Sequence, residues 1–153
     1  NGYLHRAIRE QGGAYGGGAS QDSTLGAFRL YSYRDPRLTD TLADFDRSLD
    51  WLATTAPDAQ KVEEAILGVI ASLDKPGSPA GEAKSAFHNR LFGRHDDVRR
   101  VFRSRILAVT GQDLQRVGAL YLTSEKANTA VMSGANSTDE AIKLGLEICK
   151  LDA

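Results

Sequence analysis

The sequence predicts an α+β fold, an antiparallel sheet packed on helices, in a single domain over residues 1–153. Three observations carry that reading: a strand-like alternation early in the chain, a long middle block of amphipathic helical stripes, and a short apolar strand candidate near the other end. At 153 residues the chain is long enough to bury a sizeable core. Two or three strands make a small sheet for so many helices, so further sheet partners are expected outside this sequence.

Tyr3 to Glu10 reads as a short helix, with Leu4 and Ile8 on one face and Gln11-Gly12-Gly13 as its stop. Five of the 15 glycines then fall between Gly12 and Gly18, around Ala14 and Tyr15. Such density marks unusual backbone dihedrals or close approach to something else. From Leu25 to Tyr33 the pattern alternates, with Phe28 and Leu30 on one face and Arg29, Tyr31 and Tyr33 on the other. Ala14 to Ser20 is its antiparallel neighbour, joined through Gln21-Asp22-Ser23-Thr24. Tyr31 and Tyr33 either line a groove or cover the sheet.

Asp35-Pro36 ends the strand. Leu38, Leu42, Phe45, Leu49 and Leu52 then recur at steps of four and three, the clearest amphipathic helix in the chain, with Trp51 expected in the core. Beyond Pro57, Val62, Ile66, Val69, Ile70 and Leu73 form a second stripe, and Lys75-Pro76-Gly77-Ser78-Pro79 a rigid loop. A helix from about Ala80 to Phe92 stops at Gly93. Another runs from Asp96 to Val109 with Val98, Val101, Phe102, Ile106 and Val109 inward. Thr110 caps a further helix carrying Leu114, Val117, Leu120 and Tyr121. Thr129 to Met132 is the late strand candidate. Ser137-Thr138-Asp139-Glu140 has capping-box spacing and opens a last helix with Ile142, Leu146, Ile148 and Cys149, whose thiol is expected to be buried and inert.

Composition removes several function classes. Hydrophobic residues make up 41% and charged residues 25%, and the formal net charge of −1 disfavours a phosphate-gripping nucleic-acid partner. One cysteine excludes an internal disulfide framework and a cysteine-rich zinc site. No apolar run approaches the roughly 20 residues of a membrane span, so no membrane partner is expected. The N-terminus, Asn1-Gly2-Tyr3-Leu4-His5-Arg6, lacks a signal-peptide core and an initiator Met and opens inside a helical pattern, which reads as a fragment of a longer protein.

Little catalytic machinery is visible. His5, His88 and His95 form no two-His zinc motif, and His95-Asp96-Asp97 reads as a helix start with acids at the positive end of the dipole. Arg99, Arg100, Arg103 and Arg105 read as a solvated or salt-bridged face. The glycine cluster lacks the endings of a P-loop and the spacing of a dinucleotide fingerprint. A plain turn, however, needs neither five glycines nor a tyrosine among them nor an arginine six residues upstream of that tyrosine. Small residues around Tyr15 would let a peptide backbone lie against this strand. The competing reading makes Tyr15 a core residue.

At Arg9-Glu10-Gln11-Gly12-Gly13-Ala14-Tyr15-Gly16 the sequence resembles the pitrilysin/insulinase-type zinc metallopeptidases, the inverzincins. These pair an active half, carrying H-x-x-E-H, with a related half that lacks it, and the halves close like a clamshell around a peptide. Ser32-Tyr33-Arg34-Asp35-Pro36 is similar to the presequence protease and falcilysin branch. The resemblance implies the zinc-free C-terminal domain of a metalloendopeptidase that degrades peptides in a closed chamber. It implies roles for Tyr15 and Arg9 in substrate and transition-state contacts, and peptide contact for Gly12, Gly13, Ala14 and Gly16. Zinc would sit on the N-terminal catalytic half of the same polypeptide, and none on this chain. The parent would be cytoplasmic if bacterial, and in the mitochondrial or plastid matrix if eukaryotic. Without a zinc motif the isolated chain is expected to be inactive, and with the opening strand of the family domain outside this sequence it is expected to be prone to strand-mediated self-association. The alternative is a non-enzymatic peptide-binding or core-subunit homologue of the same fold.

Overall fold

The structure, a computed structural model, describes residues 2–22 and 25–150. It is α+β, with one antiparallel sheet, and it forms two compact units: residues 1–54 with 117–153, and residues 55–116.

The first unit opens with α1 (Tyr3–His5), which runs directly into a π-helical segment, Arg6–Gln11. Ala7 and Ile8 of that segment are buried. Strand β1 (Gly16–Asp22) pairs antiparallel with β2 (Ala27–Tyr33), in a register running from Gly16↔Tyr33 to Asp22↔Ala27. Both strands start two residues later than their sequence patterns predict. Ala14 is taken by the helix end, its N–H bonding the Ile8 carbonyl at 3.1 Å, so pairing begins only at Gly16. Gln21 and Asp22, expected in the connection, extend β1; Ser23 and Thr24 lie outside the described residues. Gly26 turns at φ +61, which removes Leu25 from β2. The face alternation holds from Leu30 to Tyr33, with Leu30 and Ser32 half-buried and Tyr31 and Tyr33 exposed, whereas Phe28 near the hairpin tip is exposed.

Helix α2 (Thr39–Thr54) follows, and its Trp51 is half-buried, stacked on Tyr3 with ring centroids 5.3 Å apart rather than sunk in a core. Thr129–Met132 is not a strand: among the described residues the sheet has two strands, and this exposed segment has no ladder partner. The last helix, α7 (Thr138–Lys143), is shorter than its apolar pattern. Gly145 adopts φ +74, with Gly145 N–H bonding Ile142 O and Leu146 N–H bonding Ala141 O, so a Schellman stop leaves Leu146, Ile148 and Cys149 outside. Cys149 is therefore exposed, against the expectation of a buried thiol. The capping box at Ser137 does not form either. Glu140 instead accepts the Thr39 N–H of α2 at 2.9 Å, and the Ser137 hydroxyl bonds Ser133.

In the second unit, α3 (Ala59–Leu73) is capped by Asp58, α4 (Pro79–Leu91) by Ser78, and α5 (Asp96–Leu107) begins at His95. Gly93 at φ +68 stops α4, as its position predicts. Arg103 of α5 forks onto Asp74 at the end of α3, closing to 2.8 Å. Val62 and Ile70 are buried, whereas Val98, Val101 and Phe102, expected inward, are exposed. Helix α5 packs against α3. Helix α6 (Gly111–Tyr121) carries the predicted cap: Thr110 Oγ1 accepts the Asp113 N–H, and Asp113 accepts from the Thr110 N–H and hydroxyl.

Candidate functional site

The glycine-rich segment is a helix stop followed at once by a strand, and its small residues are small for different reasons. Gly12 has ordinary helical dihedrals (φ −83, ψ −21), so its requirement is space: a Cβ there would land on the Arg37 guanidinium and within 2.6 Å of the Ile8 carbonyl oxygen. Gly13 at φ +80 is conformational, and its N–H bonds the Arg9 carbonyl at 3.2 Å. Gly17 lies against the Ile8 side chain and 2.8 Å, by the same measure, from the Tyr31 carbonyl oxygen. Gly16 faces open space. Ala14 is buried, at 3% exposure.

Tyr15 follows directly and is 66% exposed, so it is not a core residue. Its backbone is pinned even so, since the Tyr15 N–H bonds the Arg34 carbonyl at 3.3 Å, continuing the β1–β2 register by one step. The ring meets Tyr33 edge-on, with centroids 6.0 Å apart and planes at 74°. The Arg34 guanidinium stands 5.6 Å from the Tyr15 ring centroid and 5.4 Å from that of Tyr33. Three side chains thus form a nearly equilateral triangle. Arg34 reaches it from a left-handed backbone, φ +48, the one positive φ at a non-glycine among the described residues. Arg9 is exposed on the π-helical segment, and no ion pair or ring contact joins it to Tyr15 among the described residues. Such π-helical turns are rare and frequent at functional sites.

Beneath the segment lies a polar network. Arg37 Nη2 pairs with Asp44 Oδ2 at 3.0 Å, and Arg47 holds the other Asp44 oxygen at 2.6 Å. Asp35 accepts from the Ser32 hydroxyl, from the Thr41 hydroxyl at 2.7 Å and from the Arg37 N–H at 3.0 Å. Burial pushes the Asp35 carboxyl up, but those hydrogen bonds and the Arg37 charge outweigh it and hold the group below the ordinary carboxylate range. A groove of about 410 Å³ opens beside this network, between the end of β2, the start of α2 and residues 130–133.

Sequence reasoning singled out Tyr15, Arg9 and the small residues, and the structure places them in one continuous segment. It missed Arg34 and Arg37. Arg34 lies inside the second motif and Arg37 directly after it, but only the fold shows which ring and which glycine they serve. The side chains here do not fit a zinc ion: among the described residues no group of three or more His, Cys, Asp or Glu could hold a metal.

A family model described as the PreP C-terminal domain matches residues 1–135. The mitochondrial presequence protease of Mus musculus is 36% identical over 137 residues, covering 88% of this chain and 13% of that protein. The protein of the same name from Xenopus tropicalis is 38% identical over 136 residues, again 88% of this chain and 13% of the relative. That from Saccharomyces cerevisiae is 37% identical over 131 residues, 85% of this chain and 13% of the relative. The chain spans about an eighth of the length of these curated relatives.

Proposed function

The chain belongs to the PreP C-terminal domain family, and on that premise we propose that it is the substrate-binding, non-catalytic domain of a zinc-dependent metalloendopeptidase that degrades peptides in a closed chamber. The zinc and the residues that activate water would belong to the N-terminal half of the same polypeptide. A mitochondrial location accords with the names of the relatives.

The observation that carries this reading is the exposure of Tyr15 on a fixed backbone. The fold holds its main chain through buried Ala14 and the Arg34 carbonyl, yet leaves two-thirds of the side chain to solvent. A phenol so placed can donate a hydrogen bond to an oxyanion developing on a bound peptide, and fixed donors of this kind strengthen as charge develops. Arg9, exposed on the segment before it, supplies a forked cation for a peptide carbonyl or carboxylate. Exposed Gly13 and half-buried Gly16 offer backbone with no side chain in the way, while Gly12 and Ala14 serve the fold beneath them.

The test is steady-state kinetics of the full-length protein on a fluorogenic peptide. Tyr15→Phe is expected to lower kcat by about 10²–10³, the usual worth of one oxyanion donor, with little change in KM. Arg9→Ala is expected to act mainly through KM, because it grips ground state and transition state alike. Neither exposed side chain is expected to change the melting temperature much. Wild-type kcat in Tyr15→Phe would remove the tyrosine from the reaction.

A further inference from the structure

We infer that Arg34 is the positioning residue of Tyr15: its guanidinium, set against the Tyr15 and Tyr33 rings, holds the phenol in the orientation that the proposed transition-state contact needs. This rests on the function proposed for Tyr15 and adds a second residue to it.

An exposed tyrosine has two side-chain torsions and, unsupported, samples several rotamers. A hydrogen-bond donor contributes to a reaction only in the rotamer that aims it, and small misplacements are costly. Here two neighbours remove that freedom, Tyr33 by its edge at 6.0 Å and Arg34 by its charge at 5.6 Å. Both distances lie in the range where ring–ring and cation–ring attraction act.

The backbone at Arg34 supports a role for the side chain. At φ +48 glycine would sit without strain, and an arginine there is strained. Two other arginines of this unit, Arg37 and Arg47, pair with Asp44. Among the described residues no carboxylate pairs with Arg34, whose contacts are the two ring faces. The strained conformation, the cross-strand bond from the Tyr15 N–H to the Arg34 carbonyl, and the placement of the guanidinium between the Tyr15 ring and the Tyr33 ring that meets it edge-on all bear on the Tyr15 side chain.

Arg34→Gly separates positioning from folding, since it deletes the side chain while relaxing the backbone. In the full-length protein, with a fluorogenic peptide, it is expected to lower kcat about two- to fivefold, the worth of one exposed cation–ring contact. KM and the melting temperature are expected to hold. In a Tyr15→Phe background the same substitution is expected to leave kcat where Tyr15→Phe alone puts it, because there is no hydroxyl left to aim. Wild-type kcat in Arg34→Gly, beside a strong loss in Tyr15→Phe, would overturn the inference and leave the proposed function standing. An equal further loss of kcat in the Tyr15→Phe background would also overturn it, and so would a fall in melting temperature that accounts for the lost rate. Wild-type kcat in Tyr15→Phe would remove the proposed function of the tyrosine, and the inference with it.

Discussion

Gly12→Ala tests whether the first glycine of the Gly-Gly-x-Tyr-Gly run is small for the fold or for a ligand. Its dihedrals suit any residue, so the penalty is steric. The added methyl meets the Arg37 guanidinium, and the Ile8 carbonyl behind it belongs to the backbone and cannot yield cheaply. Arg37 must therefore move, and its 3.0 Å pair with Asp44 opens. The Asp44 side chain is only 9% exposed and that of Arg37 26%. Losing one partner of a buried pair costs about 3–5 kcal/mol, and because Arg47 remains on Asp44 the share from the opened pair is about 2 kcal/mol, to which the Ile8 carbonyl contact adds. That is about a 30-fold rise in local opening. Hydrogen exchange of peptides covering residues 37–48 in the full-length protein reads it directly. Arg37→Ala should give a similar rise, and the double variant less than the sum. Wild-type exchange in Gly12→Ala together with lost peptidase activity would refute the steric argument and return Gly12 to ligand contact.

Two further outcomes follow from the same network and from the chain's end. The Asp35 carboxyl titrates below the ordinary value of about 3.9, so the stability it supplies is fully present above that value and is lost as pH falls through the folded one. Asp35→Asn should flatten that part of a melting-temperature profile below about pH 4, and an unchanged slope would show that the carboxylate contributes nothing. Cys149, exposed beyond α7, should be alkylated by N-ethylmaleimide without denaturant, and protection in the native full-length protein would show that another segment covers it.

Much of the fold was legible because local chemistry decided it. The α2 helix, the Gly93 stop and the Thr110 cap each rest on interactions within a few residues, and all three stand, although the residues that α2 buries are Thr41, Asp44 and Ser48 while its apolar stripe is half-buried. The misreadings share one cause, which is competition from afar or from an unweighed stop. Glu140 lies three residues from Ser137, as a capping box requires, yet its carboxylate serves Thr39 across 101 positions of sequence. Gly145 sits inside the apolar pattern of the last helix, and its left-handed backbone ends the helix that Leu146 and Ile148 would continue. At the site, Tyr15 and Arg9 were legible as residue types at a spacing. Arg34 was not, because its role depends on a strand register that brings it opposite Tyr15.

That register also explains why two motifs separated in sequence belong together. The Ser32–Arg37 stretch supports the Gly12–Gly16 stretch from two sides. Arg37 fills the space beneath Gly12, and Arg34 stands beside the Tyr15 ring. Asp35, between them, fixes the turn by binding the Ser32 and Thr41 hydroxyls and the Arg37 N–H. Because Arg34 and Arg37 depart from the same turn, a change at Asp35 moves both supports together. Substitutions in one motif should therefore couple to those in the other through packing, since residues sharing a network do not add independently. Coupling between Arg34 and Tyr15 should appear in kcat, and coupling between Arg37 and Gly12 in local opening. The same turn thus carries one support for the proposed chemistry and one for the fold, and the two are separable by measurement because they act on different neighbours.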